Sequence, residues 1–211
     1  TAVLAQRQGA AVLMKLGDVT DAEGLAAWIK ECDQQQPLDL VIANAGISMA
    51  SGGGDANDEK PRKIFAINVD GTLNTISPAI PLMLQRKRGQ IAIMSSLASF
   101  IGLAGAPAYS ASKAAVRVYG ESLRYELASQ GVEVNVICPG FIKTPLTDHN
   151  HFKMPFLMDV EKAARIIQKG LGVNRGRIAF PWPMYAMTML LAALPQFALD
   201  RIMAILPRKH I

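Results

Sequence analysis

Apolar residues fall along the chain in short runs separated by longer amphipathic stretches. Residues 10–16 (AAVLMKL), 38–43 (LDLVIA), 90–95 (QIAIMS), 132–138 (VEVNVIC) and 177–180 (RIAF) are of strand length and mostly apolar. Helical patterns alternate with them. Thr20 and Glu23 make a capping box that opens a helix through about Gln34, and Pro61 suits the first turn of a long helix reaching Arg88. Pro107 opens another helix, to about Gln130, and residues 159–170 form one more. Residues 1–9 read as the polar tail of a helix, and residues 51–59 as a Gly-rich loop. Alternating helices and strands, the strands apolar enough to be covered on both faces, predict an α/β fold built on a doubly wound parallel sheet in a single domain.

Composition narrows the class. With 211 residues, 50% hydrophobic and 18% charged, the chain can bury one sizeable core, and it is neither disordered nor collagen-like. Its 22 Lys and Arg exceed 17 Asp and Glu by five, but the cations are scattered, so no basic stripe marks a nucleic-acid footprint. A small anionic ligand fits that balance better. Cys32 and Cys138 lie far apart, offering neither a CxxC metal spacing nor a secreted disulfide framework, which points to a reducing, cytoplasmic compartment. Residues 178–199 are free of charge and about long enough to span a bilayer. Pro181, Pro183 and Pro195 argue against a simple span.

Candidate chemistry gathers at the ends of strands. Tyr109 and Lys113 are four apart near the start of a helix, so they share a face, and a cation beside a phenol is expected to lower the phenol's pKa toward usefulness as a general acid or base. An isolated YxxxK is also what an ordinary amphipathic helix looks like. Ser96 ends the third apolar run, where ligands of open α/β sheets collect, and its hydroxyl can hydrogen-bond a substrate oxygen or merely cap a turn. Asn44, Ala45 and Gly46 end the second run, and Pro139 and Gly140 end the fourth, with Thr144 close behind. Asn68 sits beside Gly71 in the middle of a predicted helix, where two poor helix formers favour a kink able to free backbone groups and hold a water. A surface Asn is the alternative.

Taken together, Asp18-Val19, Asn44-Ala45-Gly46, Asn68-Val69-Asp70-Gly71, Ser96, Tyr109-xxx-Lys113 and Pro139-Gly140-x-Ile142-x-Thr144 resemble, in order and spacing, the classical short-chain dehydrogenases/reductases. The resemblance covers residues 18–144. It implies a Rossmann-like fold and an NAD- or NADP-dependent oxidoreductase that interconverts an alcohol and a ketone or aldehyde. Tyr109 is then the general acid/base, Lys113 its partner and a nicotinamide-ribose ligand, Ser96 the hydroxyl on the substrate oxygen, and Asn68 the holder of a relay water. Asp18, Val19, Asn44, Ala45, Gly46, Pro139, Gly140, Ile142 and Thr144 would line the cofactor. No metal is needed. A noncatalytic relative that binds nucleotide or a partner is the alternative reading.

The resemblance also marks departures. The family opens with two strands and a TGxxxGxG phosphate loop that would precede Asp18, and both strands and loop are expected to be missing from this chain; weak NAD(P) binding follows from that expectation. Apolar Leu97, Phe141, Met154 and Phe156, near the substrate end, suggest a lipophilic substrate, and Ser96 belongs to the same pocket. His149 and His151 have no third ligand and are expected to be solvated. Residues 1–180 make the oxidoreductase domain and 181–211 a hydrophobic, Met-rich helical extension that Pro195 splits in two. Packing of that extension on the domain or a second subunit is favoured over contact with a membrane surface. The family's habit implies a homodimer or tetramer, paired through helices over 61–88 and 107–130.

Overall fold

The computed structural model describes residues 9–48, 59–148 and 154–205. The readings for residues 1–8 and 51–58, and for His149 and His151, lie outside the described residues. Four parallel strands, β1 (Leu40–Ala43), β2 (Gly89–Met94), β3 (Val132–Pro139) and β4 (Arg177–Phe180), pair in the order β1-β2-β3-β4. Val41 stands opposite Ile91, Ile91 opposite Val134, and Val136 opposite Arg177. Because the strands are parallel and in sequence order, their carboxyl ends share one edge of the sheet.

Helices cover both faces. On one face lie α1 (Ala22–Gln35), α2 (Lys60–Phe65), α3 (Gly71–Ile76), α4 (Ala79–Gln85) and α5 (Pro107–Leu127). Ile29, Ile76, Met83, Val116 and Leu123 from these helices pack against Val41, Ile91, Ile93 and Val134. On the other face, after the short α6 (Pro145–Asp148), α7 (Val160–Gly172) buries Ala163 and Leu171 against Ala92, Ile137 and Ile178. Each fully buried aliphatic side chain contributes roughly 1.5–3 kcal/mol, so these two clusters hold the sheet between its two helical layers. The chain closes with α8 (Trp182–Ala192) and α9 (Gln196–Ile205), separated near Pro195 as the sequence predicts.

Several local expectations need correction. Residues 10–16 form no strand, and Leu13 and Leu16 are 63% and 91% exposed. A strand needs a neighbour to accept its amide hydrogen bonds, and among the described residues β1 pairs only with β2. The first helix is capped by Asp21, not Thr20: the Asp21 carboxylate accepts the Gly24 N–H at 3.0 Å, while Thr20 donates both its N–H and its hydroxyl to Asp18. The helix expected over 61–88 is a chain of pieces. A π-helical turn (Ala66–Asp70) separates α2 from α3, Pro78 interrupts the run before α4, and the helix ends at Gln85.

Candidate active site

The carboxyl ends of β1, β2 and β3 open on one cavity of about 540 Å³. Asn44, Gly46 and Ser48 reach it from β1, Ser95 and Ser96 from β2, and Pro139, Gly140, Phe141, Ile142 and Thr144 from β3. Tyr109 and Lys113 enter from the first two turns of α5. The strand ends are small or polar because bulk there would fill the space in front of the sheet.

Asn68 occupies the π turn that the sequence marks as a kink, and it is completely buried, which excludes the surface reading. Its Oδ1 accepts the Ile47 N–H at 2.8 Å and its Nδ2 donates to the Ile47 carbonyl at 3.0 Å, so one side-chain amide pairs with the backbone after β1 as a neighbouring strand would. Nδ2 also donates to Ser112 Oγ at 3.0 Å, tying β1, the π turn and α5 together. The Asn68 carbonyl, within the π turn, accepts the Thr72 hydroxyl at 2.7 Å. Ser112 is absent from the sequence-level set. Nothing in its spacing separates it from Ser110.

Lys113 is buried, and its Nζ donates to the Met94 carbonyl at 2.8 Å. Ser95 holds the same helix from β2, its hydroxyl donating to the Lys113 carbonyl at 2.8 Å. Burial brings the Lys113 ammonium down to about 8. Ser96 stands beside the Tyr109 phenol, its Oγ donating to the Pro139 carbonyl at 3.5 Å and accepting the Ala98 N–H at 3.1 Å. The expected depression of the Tyr109 pKa is not found. Burial of the phenol raises it, Ser96 opposing, and Lys113 offers no offset because its ammonium is turned to the Met94 carbonyl, 6.0 Å from the Tyr109 ring centre.

The remaining sequence-selected residues divide. A Cβ on Gly46 would lie 3.1 Å from Lys113 Nζ and 3.3 Å from Asn68 Oδ1, so glycine keeps this corner of the cavity open. A Cβ on Gly140 would meet Met184 Sδ at 2.8 Å, which lets α8 lie close over the end of β3. Leu97, Phe141, Ile142 and Thr144 line the cavity, and the Thr144 N–H is held by Thr147 Oγ1 at 2.9 Å. Ala45 does not line it. Asp18 is exposed, its carboxyl held below the usual range by the Thr20 backbone and hydroxyl hydrogen bonds. Val19 accepts Asn74 Nδ2 at its carbonyl and packs against Gly71, outside the cavity. Of the substrate residues, Met154 and Phe156 are not in the lining, and Phe156 is 54% exposed, whereas Pro155 between them is in it.

One whole wall of the cavity carries none of the residues that the sequence motifs single out. Met184, Met187, Thr188 and Leu191 of α8 and Met203 of α9 face the cavity across from Tyr109 and Ser96. Their spacing, 184, 187, 188 and 191, is one helical face, a signal that was present but indistinguishable from burial against a core. Among the described residues no helix is long and apolar enough to cross a membrane.

Comparison with known proteins agrees with this geometry. A family model described as short chain dehydrogenase matches residues 1–154. An uncharacterized oxidoreductase of Myxococcus xanthus is 41% identical over 184 residues, 87% of this chain and 73% of that protein. The oxidoreductase UcpA of Escherichia coli is 33% identical over 135 residues, so the chain covers 51% of that relative's length and 63% of its own is matched. A solved short chain dehydrogenase from Mycobacterium paratuberculosis, bound to NAD, has a similar fold with a TM-score of 0.72 at 23% identity, covering 84% of this chain and 74% of that one. With the sheet, the strand-end cavity and the matched length in agreement, the chain belongs to the short-chain dehydrogenase family, whose members use NAD or NADP.

Proposed function

We propose that the protein is an NAD- or NADP-dependent oxidoreductase that interconverts an apolar alcohol and its ketone or aldehyde, with Tyr109 as the general acid/base. The observation that carries this reading is the convergence of Tyr109, Ser96 and Lys113 on one cavity whose far wall is apolar, with Asn68 buried behind them and tied to α5 through Ser112. Three groups from two separate elements meet there, and an ordinary amphipathic helix has no reason to bring Ser96 to the pair.

The residues present suit a nicotinamide nucleotide. Gly46 and Gly140 line the cavity at two strand ends, Thr144 offers a hydroxyl, and Lys113 supplies a buried cation. Asn44, Ala45, Gly46, Pro139, Gly140, Ile142 and Thr144 would hold the nicotinamide half, and Asp18 and Val19 the adenine side. When bound, the cofactor supplies the hydride acceptor or donor. Ser96 donates a hydrogen bond to the substrate oxygen and so orients the carbinol carbon. Burial keeps the Tyr109 phenol protonated near neutrality, which prepares it to give a proton to a carbonyl oxygen as an alcohol forms. In the opposite direction the phenolate takes that proton, so alcohol oxidation gains as pH rises. Lys113, poised near 8 and lining the same cavity, refills the proton on Tyr109 from solvent through water.

Exposed Val118, Tyr119 and Tyr125 on α5 and Phe65 on α2 offer an apolar face for a second copy, and a homodimer or tetramer is part of the proposal. The test is a panel of secondary alcohols and ketones of increasing chain length with either nicotinamide cofactor, followed by cofactor absorbance. Turnover that improves with apolar length is the expected result. A protein that binds cofactor yet turns over no member of the panel in either direction sinks the reading in favour of a binding module.

A further inference from the structure

The ridge of α5 that carries Tyr109 and Lys113 continues at the same spacing of four to Arg117 and Glu121, and neither belongs to the reacting groups. Glu121 divides its carboxylate between two guanidiniums. Oε2 accepts Arg117 Nη1 at 3.0 Å, and Oε1 accepts Arg177 Nε at 2.8 Å and Nη2 at 2.6 Å. Arg177, the first residue of β4, also donates from Nη1 to the Tyr185 hydroxyl on α8 at 3.0 Å. Both guanidiniums lie against the ring of Phe100, at 4.4 Å for Arg117 and 5.0 Å for Arg177, and that ring meets Tyr185 at 5.6 Å between centres.

This cluster joins three of the elements that wall the cavity: the turn after Ser96, α5 and α8. Phe100 closes the short 3-10 turn (Leu97–Ser99) that follows Ser96, Arg117 and Glu121 stand two turns along α5 from Tyr109 and Lys113, and Tyr185 follows Met184, whose sulfur packs against Gly140. Two cations on one aromatic ring are stable only with a counterion between them, and Glu121 is that counterion. The arrangement is partly buried: the side chains of Glu121 and Arg117 are 20% and 16% exposed.

We propose that Glu121 is a positioning residue: by holding Arg177, and through it Tyr185, it sets the distance between the apolar wall of α8 and the reacting groups on α5. The proposal rests on the oxidoreductase reading for its kinetic test and on the geometry alone for its structural one. Losing Glu121 leaves Arg117 and Arg177 repelling each other across Phe100. Arg177, at the edge of the cluster, then turns toward solvent and releases Tyr185, and α8 loosens over the cavity. The reacting groups, held by Met94, Ser95 and Ser112, stay in place.

The test compares the full chain with Glu121→Gln, which keeps the shape and removes the charge, and Tyr185→Phe, which removes only the last link. Backbone hydrogen exchange of residues 182–192 is read alongside KM, kcat and the pH profile of kcat for a short and a long apolar alcohol. Both variants are expected to exchange faster over 182–192 and to raise KM for the long substrate by about five- to tenfold, the scale of one lost hydrogen bond. The short-substrate kcat and its pH profile stay within about twofold. Unchanged exchange and KM in folded Tyr185→Phe overturn the proposal. A shifted pH profile with KM unmoved also overturns it, because Glu121 would then act on Tyr109 electrically. If Glu121→Gln fails to fold, Tyr185→Phe decides alone. Should the wild type turn over no alcohol or ketone, the oxidoreductase reading fails while the exchange measurement still decides for or against the link to α8.

Discussion

Two walls of one cavity are built on opposite principles. The α5 side is polar and closed: Asn68, Ser112, Lys113 and Ser95 each spend their hydrogen bonds on a named partner, and Asn68 and Lys113 are buried. The α8 side is a run without charge from 178 to 199, in which Met184, Met187 and Leu191 face inward while Trp182 and Leu190 point outward, 73% and 67% exposed. Polar groups in a poorly solvated site must be fixed, since each unpaired one costs about 1–3 kcal/mol. Methionine and leucine need only contact, and thioether side chains adapt to what they touch. The contrast assigns chemistry to the rigid wall and fit to the adaptable one.

The sharpest way to break that contrast is Tyr109→Phe, which preserves the ring and removes the transferable proton. Turnover of the best substrate is expected to fall at least about 100-fold, given that a positioned acid/base contributes roughly 10²–10⁴, with cofactor affinity unchanged by fluorescence titration. A loss under tenfold would place the proton transfer elsewhere.

Next in size is Asn68→Ala. It abandons the Ile47 N–H and carbonyl together with Ser112 Oγ, and it leaves a void inside the π turn. Unfolding in urea is expected to show a loss of about 3 kcal/mol, the cost of leaving buried donors and acceptors unpaired. A loss below about 1 kcal/mol would mean that the amide is not a structural joint.

How much of this was legible depends on what fixes each feature. Strand β4 was read to the residue and residues 10–16 were misread, though both are short apolar runs. Ile178 and Phe180 find β3 on one side and α7 below, whereas Leu13 and Leu16 find no strand among the described residues. An apolar run records a tendency to be buried, and only tertiary pairing turns it into a strand. The proposed site was legible where particular groups recur at particular intervals, as with Ser96, Tyr109 and Lys113, which line one cavity. The α8 wall was not, because any apolar face of suitable size would serve. The sign of the Tyr109 shift was misread for a related reason: spacing brings Lys113 to the same face, but desolvation and the Met94 carbonyl decide what that proximity does.

The pH dependence of stability probes the rigid wall without substrate. Lys113 has its folded value lowered from 10.5 to about 8, so the folded state releases a proton that the unfolded chain keeps. The penalty for burying the cation is complete below pH 8 and is relieved as pH rises from there toward 10.5, a gain of about 1 kcal/mol between pH 8 and 9. Cys138 acts oppositely. Its thiol, raised from 9.0 to about 11 by burial, removes stability from about pH 9 upward, and Tyr109 does the same above 10. A shallow maximum near pH 9 is expected in wild-type denaturation curves, and Lys113→Met should abolish the rise. A rise that survives in Lys113→Met would assign it to another group.

On the adaptable wall, Leu191→Ala enlarges the cavity without touching a reacting group. It should raise KM for a long apolar alcohol about three- to tenfold and leave kcat for a short one within twofold, the usual size of a lost apolar contact. Equal effects on both substrates would make the two walls functionally alike.

The smallest effect belongs to the outward side of the same helix. Leu190 touches solvent, so Leu190→Gln is expected to change unfolding free energy by no more than about 0.5 kcal/mol. The substitution also tests whether the outer face has a partner of its own. Trp182, Leu190 and Phe197 are exposed and apolar, and the cation on α9 nearest to them, Arg201, stands beside Asp200, which offsets the cationic flank that helps hold an interfacial helix on anionic lipid. In flotation with anionic liposomes the full chain is expected to stay in the soluble fraction, with Leu190→Gln behaving the same. Quantitative flotation of the wild type that Leu190→Gln abolishes would reverse the comparison, making the outer face of α8 a membrane contact and its inner face the substrate's entrance from lipid.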